Sequence, residues 1–156
     1  MKKVVLTLLT LLLVMGTKAQ ESQTEYNFLR LPVSAHAAAL GGENITIIED
    51  DPALMFSNPA LASSVSDNTV GLNYMNYMHG ANYMGASYTK ALGEKATIAG
   101  GILYMNYGKM KQVDENNVQT GTFNASDIAL EGIFSYELAR NLVGGITAKF
   151  ITSYIG

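Results

Sequence analysis

Leu142-Val143-Gly144-Gly145-Ile146-Thr147-Ala148-Lys149-Phe150-Ile151-Thr152-Ser153-Tyr154 is the stretch that decides the fold. Read in steps of two, Leu142, Gly144, Ile146, Ala148, Phe150 and Tyr154 fall on one face. Val143, Gly145, Thr147, Lys149, Ile151 and Ser153 fall on the other. The segment before it divides in the same way, with Ile128, Leu130, Gly132, Phe134, Tyr136 and Leu138 set against Asp127, Ala129, Glu131, Ile133, Ser135 and Glu137. Alternation sustained for about a dozen residues is the pattern of a strand with two unlike faces. Soluble strands average ~5–6 residues, whereas strands that cross an outer membrane on a tilted path need ~9–11. Segments near 69–79, 82–90 and 96–107 look similar but less clean, which gives about five strands in all.

The connections point the same way. Those near 91–95 and 139–141 are short, whereas 108–122 (GKMKQVDENNVQTGT) is long and polar and reads as a loop. Short turns at one end and longer loops at the other are an outer-membrane pattern. Tyr74, Tyr77, Tyr83, Tyr88, Tyr104, Tyr107, Tyr136 and Tyr154 lie mostly near strand ends, where an aromatic girdle is expected. A secreted β-sandwich would also alternate, but strand length and low charge favour the membrane. The expected fold is all-β, a transmembrane antiparallel β-barrel. Bacterial barrels use an even number of strands from 8 upward, and an open sheet edge is untenable in lipid. About five strands are too few, so the chain is expected to be the truncated N-terminal part of a larger barrel.

Composition fits this reading. Of 156 residues, 48% are hydrophobic and only 15% charged, against ~25% in an ordinary soluble domain. Mean hydropathy is nevertheless barely positive, because Gly, Ser, Thr and Asn balance the apolar residues. The acidic pI near 5.3 argues against a nucleic-acid partner, which needs a basic patch. The absence of Cys removes thiolate chemistry and Cys-ligated metal centres. His36 and His79 leave little material for a metal site.

The first residues read as an address. Lys2 and Lys3 precede an apolar run over 4–15 that is too short to span a bilayer, and Thr17-Lys18-Ala19 offers a cleavage site before Gln20. A signal peptide over 1–19 is expected, and its removal leaves 7 bases against 13 acids. Residues 20–66 then carry short helix signals and 67–156 the strands. Ser34 can cap a helix through 35–40, stopped by Gly41-Gly42. Asp51-Pro52 and Asn58-Pro59 are N-cap-proline pairs that open further short turns.

Several motifs carry no chemistry on inspection. Ser87-Tyr88-Thr89-Lys90 matches S-x-x-K and Ser66-Asp67-Asn68 matches S-D-N, but their order is reversed relative to penicillin-binding enzymes, K-T-G is missing, and Ser87 falls in a strand. The trio Glu49-Asp50-Asp51 lacks the spacing of a calcium loop. Asp127, Glu131 and Lys149 suit a polar barrel lumen. No catalytic residue, cofactor or metal ligand is expected.

Two stretches, Phe28-Leu29-Arg30-Leu31-Pro32-Val33-Ser34-Ala35-His36-Ala37-Ala38-Ala39-Leu40-Gly41-Gly42 and Asp50-Asp51-Pro52-Ala53-Leu54-Met55-Phe56-Ser57-Asn58-Pro59-Ala60-Leu61, resemble the N-terminal region of FadL-like outer-membrane barrels. With Gly71-Leu72-Asn73-Tyr74-Met75-Asn76-Tyr77, Tyr104-Met105-Asn106-Tyr107-Gly108-Lys109 and Thr120-Gly121-Thr122-Phe123, the chain resembles the PorQ branch of the PorV/PorQ proteins of the type IX secretion system. His36 stands where that family carries a basic residue, often Arg. The motif positions are Ser34, His36, Gly41, Gly42, Asp50, Asp51, Asn58 and Pro59. The resemblance implies a barrel of about 14 strands, within the even-numbered range of bacterial barrels, with 20–66 as a plug-like region. It also implies the outer membrane of a Gram-negative bacterium of the Bacteroidota type. A non-enzymatic role follows from it, docking PorZ-like, PorU-like and PorV-like partners of the complex that joins secreted cargo to lipopolysaccharide. The alternative it leaves is a FadL-like transporter of hydrophobic small molecules.

Overall fold

The computed structural model describes residues 26–42, 45–115 and 118–156; the expected signal peptide, 1–19, lies outside them. Five strands follow the N-terminal segment: β1 Thr69–Asn76, β2 Asn82–Leu92, β3 Ala96–Val113, β4 Gln119–Ala139 and β5 Leu142–Ile155. They pair antiparallel in chain order, so the fold is all-β, and the sheet is open with β1 and β5 at its edges. Ahead of them come one helical turn, α1 (Ala35–Ala39), and three 3-10 segments, Asn27–Arg30, Pro52–Phe56 and Pro59–Ser64. The caps fall where expected. Ser34 Oγ accepts the Ala37 N–H, Asp51 Oδ1 the Ala53 N–H and Asn58 Oδ1 the Ala60 N–H. Gly41 and Gly42 follow α1 with φ of +99° and +105°.

One expectation is corrected. Residues 108–122 are not a loop: β3 runs on to Val113 and β4 starts at Gln119, leaving 114–118 as the connection. This ribbon stands beyond the ends of β1, β2 and β5, so water reaches both its faces and no apolar alternation is required of it. Its sequence therefore looks like a loop although its backbone is paired.

The register aligns like with like. Leu72, Ala86, Ile102, Leu130 and Phe150 form one row across all five strands, and Gly71, Ser87, Gly101, Glu131 and Lys149 form a row on the opposite face. The face that the N-terminal segment covers is the small and polar one. Thr89 and Ser135 are fully buried there, beside Tyr83, Leu103 and Ala129. Among the described residues nothing covers the apolar face: Leu72 is 78% exposed, Ile146 70% and Phe150 66%.

Close approach of the N-terminal segment is made possible by glycine. A Cβ at Gly71 would lie 2.7 Å from Pro52, and one at Gly85 2.9 Å from Val33. At Gly101 it would strike the Phe56 ring, and at Gly145 the Pro59–Ala60 backbone. Four strands thus each offer a socket to one part of residues 33–60. Between the sockets Leu54, Met55 and Ala62 are fully buried, and burying each of the two larger side chains is worth ~1.5–3 kcal/mol.

Gly145→Ala must push the segment off the sheet and is expected to destabilise by about 1–3 kcal/mol, the usual cost of overpacking. Gly132→Ala, where an added Cβ meets nothing within 4 Å, should stay within ~0.5 kcal/mol. Urea unfolding midpoints of the two variants check the contrast, and equal effects would remove the socket account.

Candidate functional site

Two surfaces carry the chemistry of the chain: the junction between residues 26–66 and the covered face, and the uncovered face with its tyrosines.

At the junction the motif residues act as clasps. The three neighbouring acids diverge. Glu49 Oε2 lies 3.3 Å from His36 Nδ1. Asp50 accepts from both the backbone N–H of Ser66, at 2.7 Å, and its hydroxyl, at 2.5 Å. Asp51 caps its 3-10 segment while its Oδ2 accepts from Ser34 Oγ at 3.4 Å and stands 3.8 Å from His36 Nδ1. Ser34, His36 and Asp51 are therefore brought together, tying α1 to the segment that opens at Pro52. Asn58 adds a tie through its Nδ2, which donates to the Ile45 carbonyl at 2.9 Å. Ser64 Oγ donates to the Glu49 carbonyl at 3.0 Å. Gly41 and Gly42 only turn the chain, and Pro59 seats against Gly145. The hydrogen bonds from Ser66, the side chain first and then the backbone, hold the Asp50 carboxyl below its usual range.

The two enzyme-like motifs separate. Ser87 points to the covered face and is buried, while Lys90, three residues on, points to the other face and donates to Asn68 Oδ1 at 3.3 Å. Asp67 Oδ1 accepts the Ala91 N–H at 2.8 Å, so Ser66-Asp67-Asn68 fastens the start of β1 to the end of β2.

Sequence reasoning placed Glu131 and Lys149 in a lumen but did not pair them. They sit directly opposite each other on β4 and β5, Lys149 Nζ 3.0 Å from Glu131 Oε1, with the Glu131 side chain fully buried. Glu131 Oε2 is buried without a hydrogen-bond partner among the described residues. Both side chains, with Arg30, Val33, Phe56 and Leu103, line a cavity of about 180 Å³ under the N-terminal segment. Their shared face and the strand-to-strand register were the signals that could have found the pair.

On the uncovered face the apolar rows end in a polar one. Asn76, Asn82, Asn106, Ser126 and Tyr154 lie in register across the sheet, one step beyond the row of Tyr74, Met84, Tyr104, Ile128 and Thr152. Tyr74 Oη donates to Asn82 Oδ1 at 2.7 Å, and Asn106 Nδ2 donates to Tyr104 Oη at 3.4 Å. Toward the other end Tyr88 Oη reaches Asn68 Oδ1 at 2.7 Å. These rings keep their bodies among aliphatic side chains and their hydroxyls at the polar margins. Tyr83 and Tyr107 do not join them, since both turn to the covered face, Tyr107 Oη donating to Asp127 at 2.6 Å.

Lys149→Met should strand the Glu131 charge. Removing one partner of a fully buried pair costs ~3–5 kcal/mol; with Lys149 a third exposed, about 1–3 kcal/mol is expected. Adding Glu131→Gln should recover most of the loss in a double-mutant cycle. For Asp50 the folded pKa is depressed, so its contribution is present above the unfolded value of ~3.9 and is lost as pH falls through the folded value. Asp50→Asn should therefore weaken the protein at neutral pH and flatten its stability profile below about pH 4, as read from unfolding midpoints at each pH. No protein-family model matches the chain and no curated protein is similar to it.

Proposed function

We propose that the chain is part of an outer-membrane β-barrel whose uncovered face meets lipid, and that it serves the type IX secretion system as a non-enzymatic anchor and docking surface. The observation that carries the membrane reading is the distribution of polarity. A soluble sheet buries its apolar face and wets its polar one; here the N-terminal segment covers the small polar face and Leu72, Ile146 and Phe150 stand uncovered. On β4 the apolar rows run from Ile128 to Leu138, ten steps or ~34 Å at ~3.4 Å per residue. At a tilt of ~40° that is ~26 Å along the normal, near the ~25 Å apolar band of outer-membrane barrels. The tyrosine hydroxyls at both margins suit the headgroup levels. Open edges at β1 and β5 call for further strands to close the sheet.

The docking role rests on the resemblance to PorV/PorQ proteins, and the ribbon of β3 and β4 beyond Asn106 and Ser126 supports it. It adds five residue pairs, from Lys109–Asn124 to Val113–Gln119, runs about 24 Å along β4 past Ser126 and presents both faces to partners. The transporter reading is less well supported: a cavity floored by Glu131 and Lys149 is a poor host for a hydrophobic solute.

In this reading Leu130→Arg, in the middle of the apolar rows, should cost about 2–4 kcal/mol in folding into vesicles, and Ser126→Arg at the margin about 0–1. A soluble sheet would tolerate both alike, since each side chain would face water. Heat-modifiable migration of the full-length protein from outer-membrane fractions is the companion test. Affinity capture from solubilised envelope should recover surface-complex partners, and fewer after the ribbon 108–122 is shortened. Loss of hydrophobic-solute uptake on deletion, with no partner recovered, would instead favour the transporter.

A further inference from the structure

The bulge in β3 turns a lysine from one face of the sheet to the other. Up to Met105, odd-numbered residues of β3 face the covered side with Leu103. Asn106 pairs with Ser126, but the next pair is Lys109 with Asn124, three steps on one strand against two on the other. The extra residue reverses the phase. Tyr107 keeps to the covered face, bonded to Asp127, while Lys109 and then Lys111 come out on the apolar face. The bulge is held in place by Gly108, whose φ of +74° suits glycine, whose N–H donates to Asn106 Oδ1 at 2.7 Å, and which packs against the Gly80 carbonyl.

Lys109 emerges beside an open recess of about 510 Å³ that Tyr104, Asn106, Asn124, Ser126 and Tyr154 also line. Among the described residues it is the only charged one there. The neighbouring carboxylate, Asp127, is turned to the opposite face. Amide and hydroxyl side chains line the recess with it, and one register step below them begins the apolar row of Tyr104 and Ile128, followed by Leu130 and Phe150. We infer that this recess binds the phosphate headgroup of an anionic membrane lipid, with Lys109 as its cation, Asn106, Asn124 and Ser126 as hydrogen-bond partners, and the acyl chains laid along the apolar rows beneath. The occupant is a lipid rather than a soluble phosphate because the recess opens along β3 and β4 directly onto those rows, from Asn106 to Tyr104 and from Ser126 to Ile128. A lysine near an anionic surface contributes a factor of about five in binding.

The inference rests on the membrane reading, and the experiment separates the two. The full-length protein is reconstituted in phosphatidylcholine vesicles with a minor fraction of phosphatidylglycerol, one or other lipid brominated along its chains. Tyrosine emission is the probe, since this sequence holds 9 Tyr and no Trp; any Trp elsewhere in the full-length protein is first replaced by Phe. Quenching by brominated phosphatidylglycerol should exceed that by brominated phosphatidylcholine at equal mole fraction. Lys109→Gln should reduce the preference about five-fold, Lys109→Arg should retain it, and Lys95→Gln, at the short-turn end, should leave it unchanged. Quenching by both lipids without preference, or the same preference in Lys109→Gln, overturns the headgroup site alone. Loss of the preference on adding inorganic phosphate overturns the commitment to lipid. Absence of quenching by either lipid overturns the membrane reading and this inference together.

Discussion

Everything in this structure depends on how closely one stretch of backbone can approach a sheet. Side chains normally hold a covering segment away from the strands. Here Gly71, Gly85, Gly101 and Gly145 remove the Cβ where Pro52, Val33, Phe56 and Pro59–Ala60 press down. Because the four sockets lie on four strands, the segment also fixes their mutual register: sliding β1 or β2 by a single residue would replace its glycine with a side chain of the other face, and on β3 or β5 a slip in one direction would bring up Ile102 or Ile146. The small residues that make the covered face look unlike a core are the reason it can be covered at all.

That arrangement determines what is left over. With the polar face occupied by the chain's own N-terminal segment, the apolar face is left uncovered among the described residues. The low charge content then has a structural cause, since one face is aliphatic and the other mixes Gly, Ser and Thr with the buried Tyr83, Leu103, Met105 and Ile133. Among the described residues the buried carboxylate is a matched one, Glu131 directly opposite Lys149. On the lipid reading the sheet is a soluble sheet turned inside out, and the tyrosine hydroxyls mark where it returns to water.

Much of this was legible in the sequence, and for local reasons. Alternation through 127–138 and 142–154 shows the two faces because a strand's side chains alternate whatever lies beyond it. Ser34, Asp51 and Asn58 announce their caps because the acceptor lies within three residues of the donor. What sequence could not show is long-range. Nothing near Gly85 says that Val33 will seat on it, and nothing near Asp50 names Ser66, 16 residues away, as its donor. The ribbon 108–122 was misread because its signal is absent where both faces are wet. The tyrosines were assigned as one group, yet face, not position along the strand, sorts Tyr83 and Tyr107 from Tyr74 and Tyr104.

The bulge at 106–109 joins these threads. A regular β3 would carry its odd-numbered residues, Leu103 and Met105 among them, along the covered side to its end, sending Lys109 and Lys111 over the region that Tyr107 and Asp127 occupy. One inserted residue keeps Tyr107 inward as the last side chain to pack against the buried cluster and turns the lysines outward above the apolar rows. The insertion sits where the polar row begins and where β3 leaves β2, so the change of phase coincides with the change of surroundings. Below it, β3 is a strand between two neighbours with two unlike faces; above it, β3 pairs with β4 alone. A single backbone irregularity, fixed by Gly108 and the Asn106 amide, separates the part of the chain that is held from the part that is presented.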